Sequence, residues 1–271
     1  MAIRGNVDKI QLSRETFAPG AMSVIRKVAS IAERMGMDVY LVGGTVRDML
    51  IGRRSDDIDI VTEGSAIELG KALADNYALD VREYPKFGTC TLMFPHRSFF
   101  RLVLGDIRVD IAMAREETYS SPGALPGVRP SSIATDLARR DFTVNAMAIG
   151  ITEKSSGILK DFCGGVKDVE RGIIRILHDN SFLDDPARIF RAARFETRFS
   201  FTIEEHTAAL LKQAVNSGMI RCMRESRIRE EWALVGEERL SKKCITTLEG
   251  LLGSEMRFVR ELVRGKGDLK K

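Results

Sequence analysis

Strand-like patterns recur through the first two thirds of this chain and stop before Asp184. Short apolar or alternating runs lie between helical segments up to that point, and beyond it only helical spacing remains. A chain divided in this way is expected to fold as an α+β region followed by an all-helical one. At about 150 residues per domain, the 271 residues predict two domains, and the 44% hydrophobic content is enough to give each a buried core.

In the first region, residues 21–36 read as an amphipathic helix, and residues 38–42 (DVYLV) as a short buried strand ending at Gly43-Gly44. Residues 45–51 read as a helix opened by a Thr cap and closed by Gly52, residues 57–62 (DIDIVT) as an alternating strand, and residues 65–76 as another helix. Two or three strands are expected over 79–114, among them 108–112 (RVDIA), followed by a long Pro/Gly/Ser-rich loop over 116–129. Residues 131–148 return to helix, 157–162 form a short strand before a Gly-Gly turn, and 166–177 close the domain. Helices are then expected over 186–199, 203–215, 225–240 and 242–252.

Composition narrows the chemistry. No apolar run approaches the roughly 18 residues of a membrane span. The first 20 residues mix both charge signs without an apolar core, so neither a secretory signal nor a transit peptide is expected and the cytoplasm is the default. Forty-two Lys and Arg against 38 Asp and Glu leave a net charge of +4, which permits a polyanionic partner without demanding one. Cys90, Cys163, Cys222 and Cys244 form no C-x-x-C pair, and His96, His178 and His206 lie near no nucleophile-and-base pattern. The chemistry is left to carboxylates, arginines or a metal.

Asp57 and Asp59 are two apart in a strand, so both side chains leave one face about 7 Å apart. Two carboxylates pointing the same way repel unless a cation lies between them, and oxygen-only ligands suit Mg²⁺. A pair of such ions is the usual device for displacement at phosphorus. Asp110 is a natural third ligand if its strand pairs with that of Asp57 and Asp59. The bland alternative is a solubilised strand end. Upstream, Gly43 and Gly44 let backbone amides approach a triphosphate, with Arg47 one helical turn on.

The string LVGGTVRDMLIGRRSDDIDIVTEG (41–64) resembles the active-site signature of the nucleotidyltransferase superfamily, in the branch of bacterial tRNA nucleotidyltransferases (CCA-adding type) and poly(A) polymerase. A second element, DLARRDFTVNAMA (136–148), and a third, DDPARIFRAARF (184–195), are similar to further motifs of that family in the same order. The resemblance implies an α+β, polymerase β-like head with a mixed sheet over 1–178. It also implies an all-helical, base-recognising neck over 179–240 and the start of a helical body or tail over 241–271.

The resemblance further implies that Asp57 and Asp59 hold two Mg²⁺ ions and, with Asp110, form the catalytic set. Gly43, Gly44, Arg47 and Arg140 would lie on the triphosphate, Asp141 and Asn145 on a ribose hydroxyl, and Asp185 and Arg188 on the base edge. The residues fit these roles: two successive arginines, Arg139 and Arg140, can neutralise phosphate, and an Asp and an Asn four apart on a helix share a face. Asp185 before Pro186 also suits a helix cap. Arg188, Arg191, Arg194 and Arg198 fall within about a 120° arc of one helix. Arg191 and Arg194 suit either phosphate binding or the head–neck junction.

Two departures stand out. Asp184 takes the place where the family has Glu, and Ser226 replaces a Glu in RESRIRE (224–230). The implied function is transfer of a nucleoside monophosphate from CTP or ATP to the 3′ end of tRNA, with a poly(A) polymerase as the alternative and a non-catalytic RNA-binding module as the reading from another class. Family members continue past the neck into body and tail regions that hold the tRNA elbow, so a chain stopping at Lys271 corresponds to part of a longer enzyme or to a compact form.

Overall fold

The computed structural model describes residues 9–12, 17, 20–54, 57–93, 108–124 and 126–265. His96, the stretch 94–107 within the expected strand region, and the last six residues of the basic end lie outside them. The chain divides into two compact units. One comprises 1–117 with 128–170, and the other 118–127 with 171–271. The division falls between Glu170 and Arg171, where the sequence reading set 178, and residues 241–265 lie in the same unit as the neck helices.

The first unit opens with α1 (Ala21–Arg34), whose Val24, Ile25, Val28, Ile31 and Ala32 recur at helical spacing and are buried. Then follow β1 (Val39–Val42), α2 (Gly44–Leu50), β2 (Asp57–Thr62) and α3 (Ala66–Tyr77), the last capped by the Ser65 hydroxyl, which accepts from the Glu68 N–H. Strands β3 (Asp80–Tyr84), β4 (Thr89–Met93) and β5 (Arg108–Met113) follow. Next come β6 (Arg115–Thr118), β7 (Gly127–Pro130), α4 (Ile133–Ala138), a 3₁₀ turn (Thr143–Asn145), β8 (Met147–Gly150), β9 (Leu159–Asp161) and α5 (Gly165–Arg171).

Among the described residues, seven strands form one mixed sheet in the order β3-β4-β5-β2-β1-β8-β9. Only β2 and β5 are parallel, and every other neighbouring pair is antiparallel. Every residue of β1 and β8 is buried, as the continuous apolar runs VYLV and MAIG require of central strands. Helix α3 packs on β3, β4 and β5, and α2 on β1, β2 and β8.

Three expectations need correction here. Residues 131–148 are not one helix but α4, the 3₁₀ turn and the buried strand β8. The loop expected over 116–129 is shortened by β6 and β7, which pair as a two-stranded ladder. Thr45 does not cap α2; Gly43 holds that position.

The second unit contains β10 (Ile173–Ile174), α6 (Ser181–Asp184), α7 (Arg188–Phe199), β11 (Thr202–Ile203), α8 (Glu205–Asn216), α9 (Met219–Cys222), α10 (Glu225–Gly236), α11 (Ser241–Leu252) and α12 (Glu255–Arg264). Among its described residues from 171 onward, the regular elements are helices except for the parallel two-residue pairing of β10 with β11, and β11 lies beyond 184 where no strand was expected. Helix α7 packs on α10 and α11. Among the described residues no helix is long and apolar enough to cross a membrane.

Candidate active site

The parallel pairing of β2 with β5 sets Asp57 opposite Arg108 and Asp59 opposite Asp110. The three carboxylates thus share one end of the sheet, in neighbouring strands that alternation alone could not have aligned. Burial raises the Asp59 carboxyl to about 6; Arg140 pulls against that rise, and Asp110 and Asp57 add to it. Asp110 is already engaged: Arg108 Nε lies 2.7 Å from its Oδ2, and the Thr91 hydroxyl donates to its Oδ1.

All these donors are hard oxygens, and the accumulation of like charge around a partly buried Asp59 is what a divalent cation relieves. Asp57 and Asp59 therefore fit such an ion. With Asp110 turned to Arg108, no group of three or more His, Cys, Asp or Glu side chains is gathered closely enough to hold a metal among the described residues.

Behind the carboxylates, Thr45 ties α2 to β2. Its hydroxyl donates to the Asp57 carbonyl at 3.2 Å and accepts from the Asp59 N–H at 3.1 Å. The glycine turn is shaped for close approach. Gly43 has φ 62 and ψ −126, a conformation that side chains rarely adopt, and a Cβ there would lie 2.7 Å from Arg140 Nη1. A Cβ on Gly44 would meet Arg47 Nη2 at 3.4 Å. Two guanidiniums therefore bracket the turn.

Arg47 is buried, and its fork is divided. Nε and Nη2 donate to Asp48 Oδ1 at 3.0 and 2.9 Å, and Nη1 donates to Asn145 Oδ1 at 2.6 Å. Asn145 Nδ2 in turn donates to Asp141 Oδ1 at 2.9 Å, and the same oxygen accepts the Phe142 N–H. Asp141 and Asn145 meet across a 3₁₀ turn, and not along the one helical face that their spacing predicts. Arg139, read with Arg140 as able to neutralise phosphate, is engaged within the chain. Its guanidinium is spent on Asp136, on Glu117 at 2.7 Å and on the Arg115 carbonyl.

In the second unit the expected base readers lie around the start of α7. Asp185 Oδ1 accepts the Ala187 N–H at 3.1 Å, so it caps the turn leading into the helix, which begins at Arg188 and not at Pro186. Arg188 is buried and donates from Nη1 to the Ser181 hydroxyl. The arginine stripe does meet anions, but they belong to the chain. Arg194 and Arg198 donate to Glu238, and Arg191 and Arg194 lie 3.9 and 3.8 Å from the carboxylate of Glu231. Glu231 has a local partner in Arg227, four residues back at 3.2 Å, but its pairing with the α7 arginines and that of Glu238 span about forty residues and have no local signal. Thr45 and Asp136 also went unassigned, although both stand inside the quoted motifs.

A family model described as the poly A polymerase head domain matches residues 39–175. The A-adding tRNA nucleotidyltransferase of Geobacter sulfurreducens is 38% identical over 230 residues, covering 85% of this chain and 25% of that protein. The A-adding enzyme of Aquifex aeolicus is 42% identical over 227 residues, covering 83% and 26%. In structure, the Thermotoga maritima CCA-adding enzyme complexed with tRNA superimposes with a TM-score of 0.74 at 38% identity, over 93% of this chain and 54% of that one. The chain thus spans about a quarter of the length of the two A-adding relatives and about half of the superimposed structure.

Proposed function

This chain belongs to the poly A polymerase head domain family, and from that premise we propose that it transfers a nucleoside monophosphate from ATP or CTP to the 3′ end of tRNA. The observation that carries the reading is the convergence, in one unit, of Asp57, Asp59 and Asp110 with the Gly43-Gly44 turn and its flanking Arg47 and Arg140. The names of the A-adding relatives favour ATP as the donor. A cytoplasmic enzyme of tRNA processing follows from the same reading.

In the reaction, the 3′-hydroxyl gives up its proton to solvent, its oxygen bonds to the α-phosphorus, the bond from that phosphorus to the bridging oxygen breaks, and pyrophosphate leaves. Asp57 and Asp59 would hold Mg²⁺, which lowers the cost of the attacking alkoxide and of charge on the leaving group. The chain's own residues do the rest. Arg140, beside Gly43, supplies a fixed positive charge to the triphosphate, and the glycine turn admits the phosphates against the backbone. Asp141 and Asn145 offer an acceptor and an amide to ribose hydroxyls, favouring ribonucleotides. To Asp185 and Arg188 we assign base choice, since an acceptor and a forked donor present opposite hydrogen-bond polarities.

The test is to incubate the full chain with tRNA lacking its last three nucleotides, with tRNA lacking only the terminal one, and with oligo(A), each with one labelled nucleoside triphosphate. Addition of one A to the second substrate supports A addition, and extension of the first by C supports CC or CCA addition. Long tracts on oligo(A) identify a poly(A) polymerase. RNA binding without any incorporation overturns the enzyme in favour of a binding module.

A further inference from the structure

Two arginines stand side by side at 139 and 140, and the fold gives them opposite duties. Between them lies Asp136, with no exposed surface. Its Oδ1 accepts from Arg139 Nε and Nη2 at 3.0 and 2.5 Å and from the Arg115 N–H at 3.3 Å. Its Oδ2 accepts from Arg140 Nη2 and Nε at 2.9 and 3.3 Å. One edge of the Arg140 fork is thus fixed to Asp136, while the remaining Nη1 is the atom that lies against Gly43. Arg139 and Arg115 close on Glu117. Within this network three guanidiniums face two carboxylates, and it is Arg140 that reaches the glycine turn.

We propose that Asp136 is the positioning residue for Arg140, holding Nε and Nη2 so that Nη1 is presented at Gly43 for the triphosphate. A buried carboxylate can do this because it accepts several charge-assisted hydrogen bonds at once, and a guanidinium held on one edge keeps its other donors in a known plane. Burial works against the charged form of Asp136, but the two guanidiniums outweigh it and hold the carboxyl below its ordinary range. The inference rests on the assignment of the glycine turn to phosphate, and its test separates the two.

The probe is inorganic tripolyphosphate, with its affinity for the full chain measured by calorimetry. Arg140→Ala is expected to weaken binding roughly tenfold or more. Asp136→Asn should reproduce that loss within about threefold, and the double variant should lose little beyond either single one, because two residues acting as a unit are not additive. Should Asp136→Asn fail to fold, Arg140→Lys decides. It keeps the charge but has no planar fork to span Asp136 and the turn, so it should bind as poorly as Arg140→Ala. Arg139→Ala is the control, expected to lower the melting temperature and leave tripolyphosphate affinity near wild type. Folded Asp136→Asn or Arg140→Lys with wild-type affinity, while Arg140→Ala is impaired, overturns the positioning role. Unchanged affinity in Arg140→Ala itself overturns the phosphate assignment of the turn, and the role of Asp136 with it.

Discussion

The Thr45 hydroxyl is the only atom outside the sheet ladder seen to bond the backbone N–H of Asp59, at 3.1 Å among the described residues, and it also donates to the carbonyl of Asp57. A helix that follows the glycine turn is thereby bolted to the strand that bears the carboxylates. Thr45→Val keeps the shape and leaves a donor and an acceptor without this partner, at a cost of about 1–3 kcal/mol in stability. Chemical denaturation should show that loss, together with a fall in kcat larger than the change in KM, because carboxylate placement is disturbed and nucleotide contacts are not. Wild-type stability and turnover in Thr45→Val would separate the helix from the carboxylate strand.

Asp59→Asn should trade function for stability. The wild-type carboxylate is partly buried beside Asp110 and Asp57, and removing its charge relieves both desolvation and like-charge repulsion. The variant is expected to fold with equal or greater stability, by up to about 2 kcal/mol, and to lose nearly all nucleotide transfer, since an amide is a poor ligand for Mg²⁺. Turnover within tenfold of wild type at saturating Mg²⁺ would contradict the metal assignment, and marked destabilisation would contradict the electrostatic account.

Sequence pattern made the division into a strand-bearing and a helical region legible, along with the apolar central strands and most helices, because burial in this fold follows simple periodicities. It failed where side chains compete with the backbone. In 131–148 the helix stops at Ala138, and the Asp141 carboxylate then takes the Phe142 N–H and the Asn145 amide, holding a non-helical turn ahead of the apolar residues of β8. Residues 116–129 read as a loop because Pro, Gly and Ser are concentrated there, yet the two ends of the segment pair as β6 and β7. At the site, the motifs named candidate residues and put Arg140 toward the triphosphate, but they did not show the network that holds it at the glycine turn. That network depends on how Asp136 and Glu117 divide the guanidiniums among themselves, a matter of tertiary register.

The arginine stripe of α7 meets two buried glutamates whose carboxyls move in opposite directions. Burial raises that of Glu231 despite Arg191, Arg227 and Arg194, and its Oε2 has no hydrogen-bond partner among the described residues. Burial opposes Glu238 too, but hydrogen bonds from Arg198 and Arg194 prevail and hold it low. A carboxyl held low in the folded state adds stability above its unfolded value, and that stability is lost as pH falls through the folded one. Glu238→Gln should therefore destabilise the chain at pH 7 by about 1–3 kcal/mol, a difference that fades between roughly pH 5 and 3. For Glu231 the sign reverses. Its raised carboxyl costs stability at pH 7, so Glu231→Gln should be neutral or stabilising there, with any gain fading in acid. Melting curves of both variants across that range check the pair, and a large loss in Glu231→Gln at pH 7 would refute the contrast.

Arg188→Ala is expected to relax base choice more than it slows the chemistry. Its guanidinium is buried at the start of α7, and the bond from Nη1 to Ser181 helps fix the plane of the fork. Loss of a charge-assisted hydrogen bond to a base edge costs about 1.5–3 kcal/mol, roughly ten- to 150-fold in selectivity. Asp185→Ala is a poorer probe, because that carboxylate also holds the Ala187 N–H at the helix entrance. Ser181→Ala is a better companion: it removes only the fixing contact and should give a smaller loss of selectivity in the same direction. The measurement is kcat/KM for all four nucleoside triphosphates on one tRNA acceptor. Equal losses for every nucleotide in Arg188→Ala would make Arg188 a structural strut of the second unit, and base selection would then have to be sought among other residues.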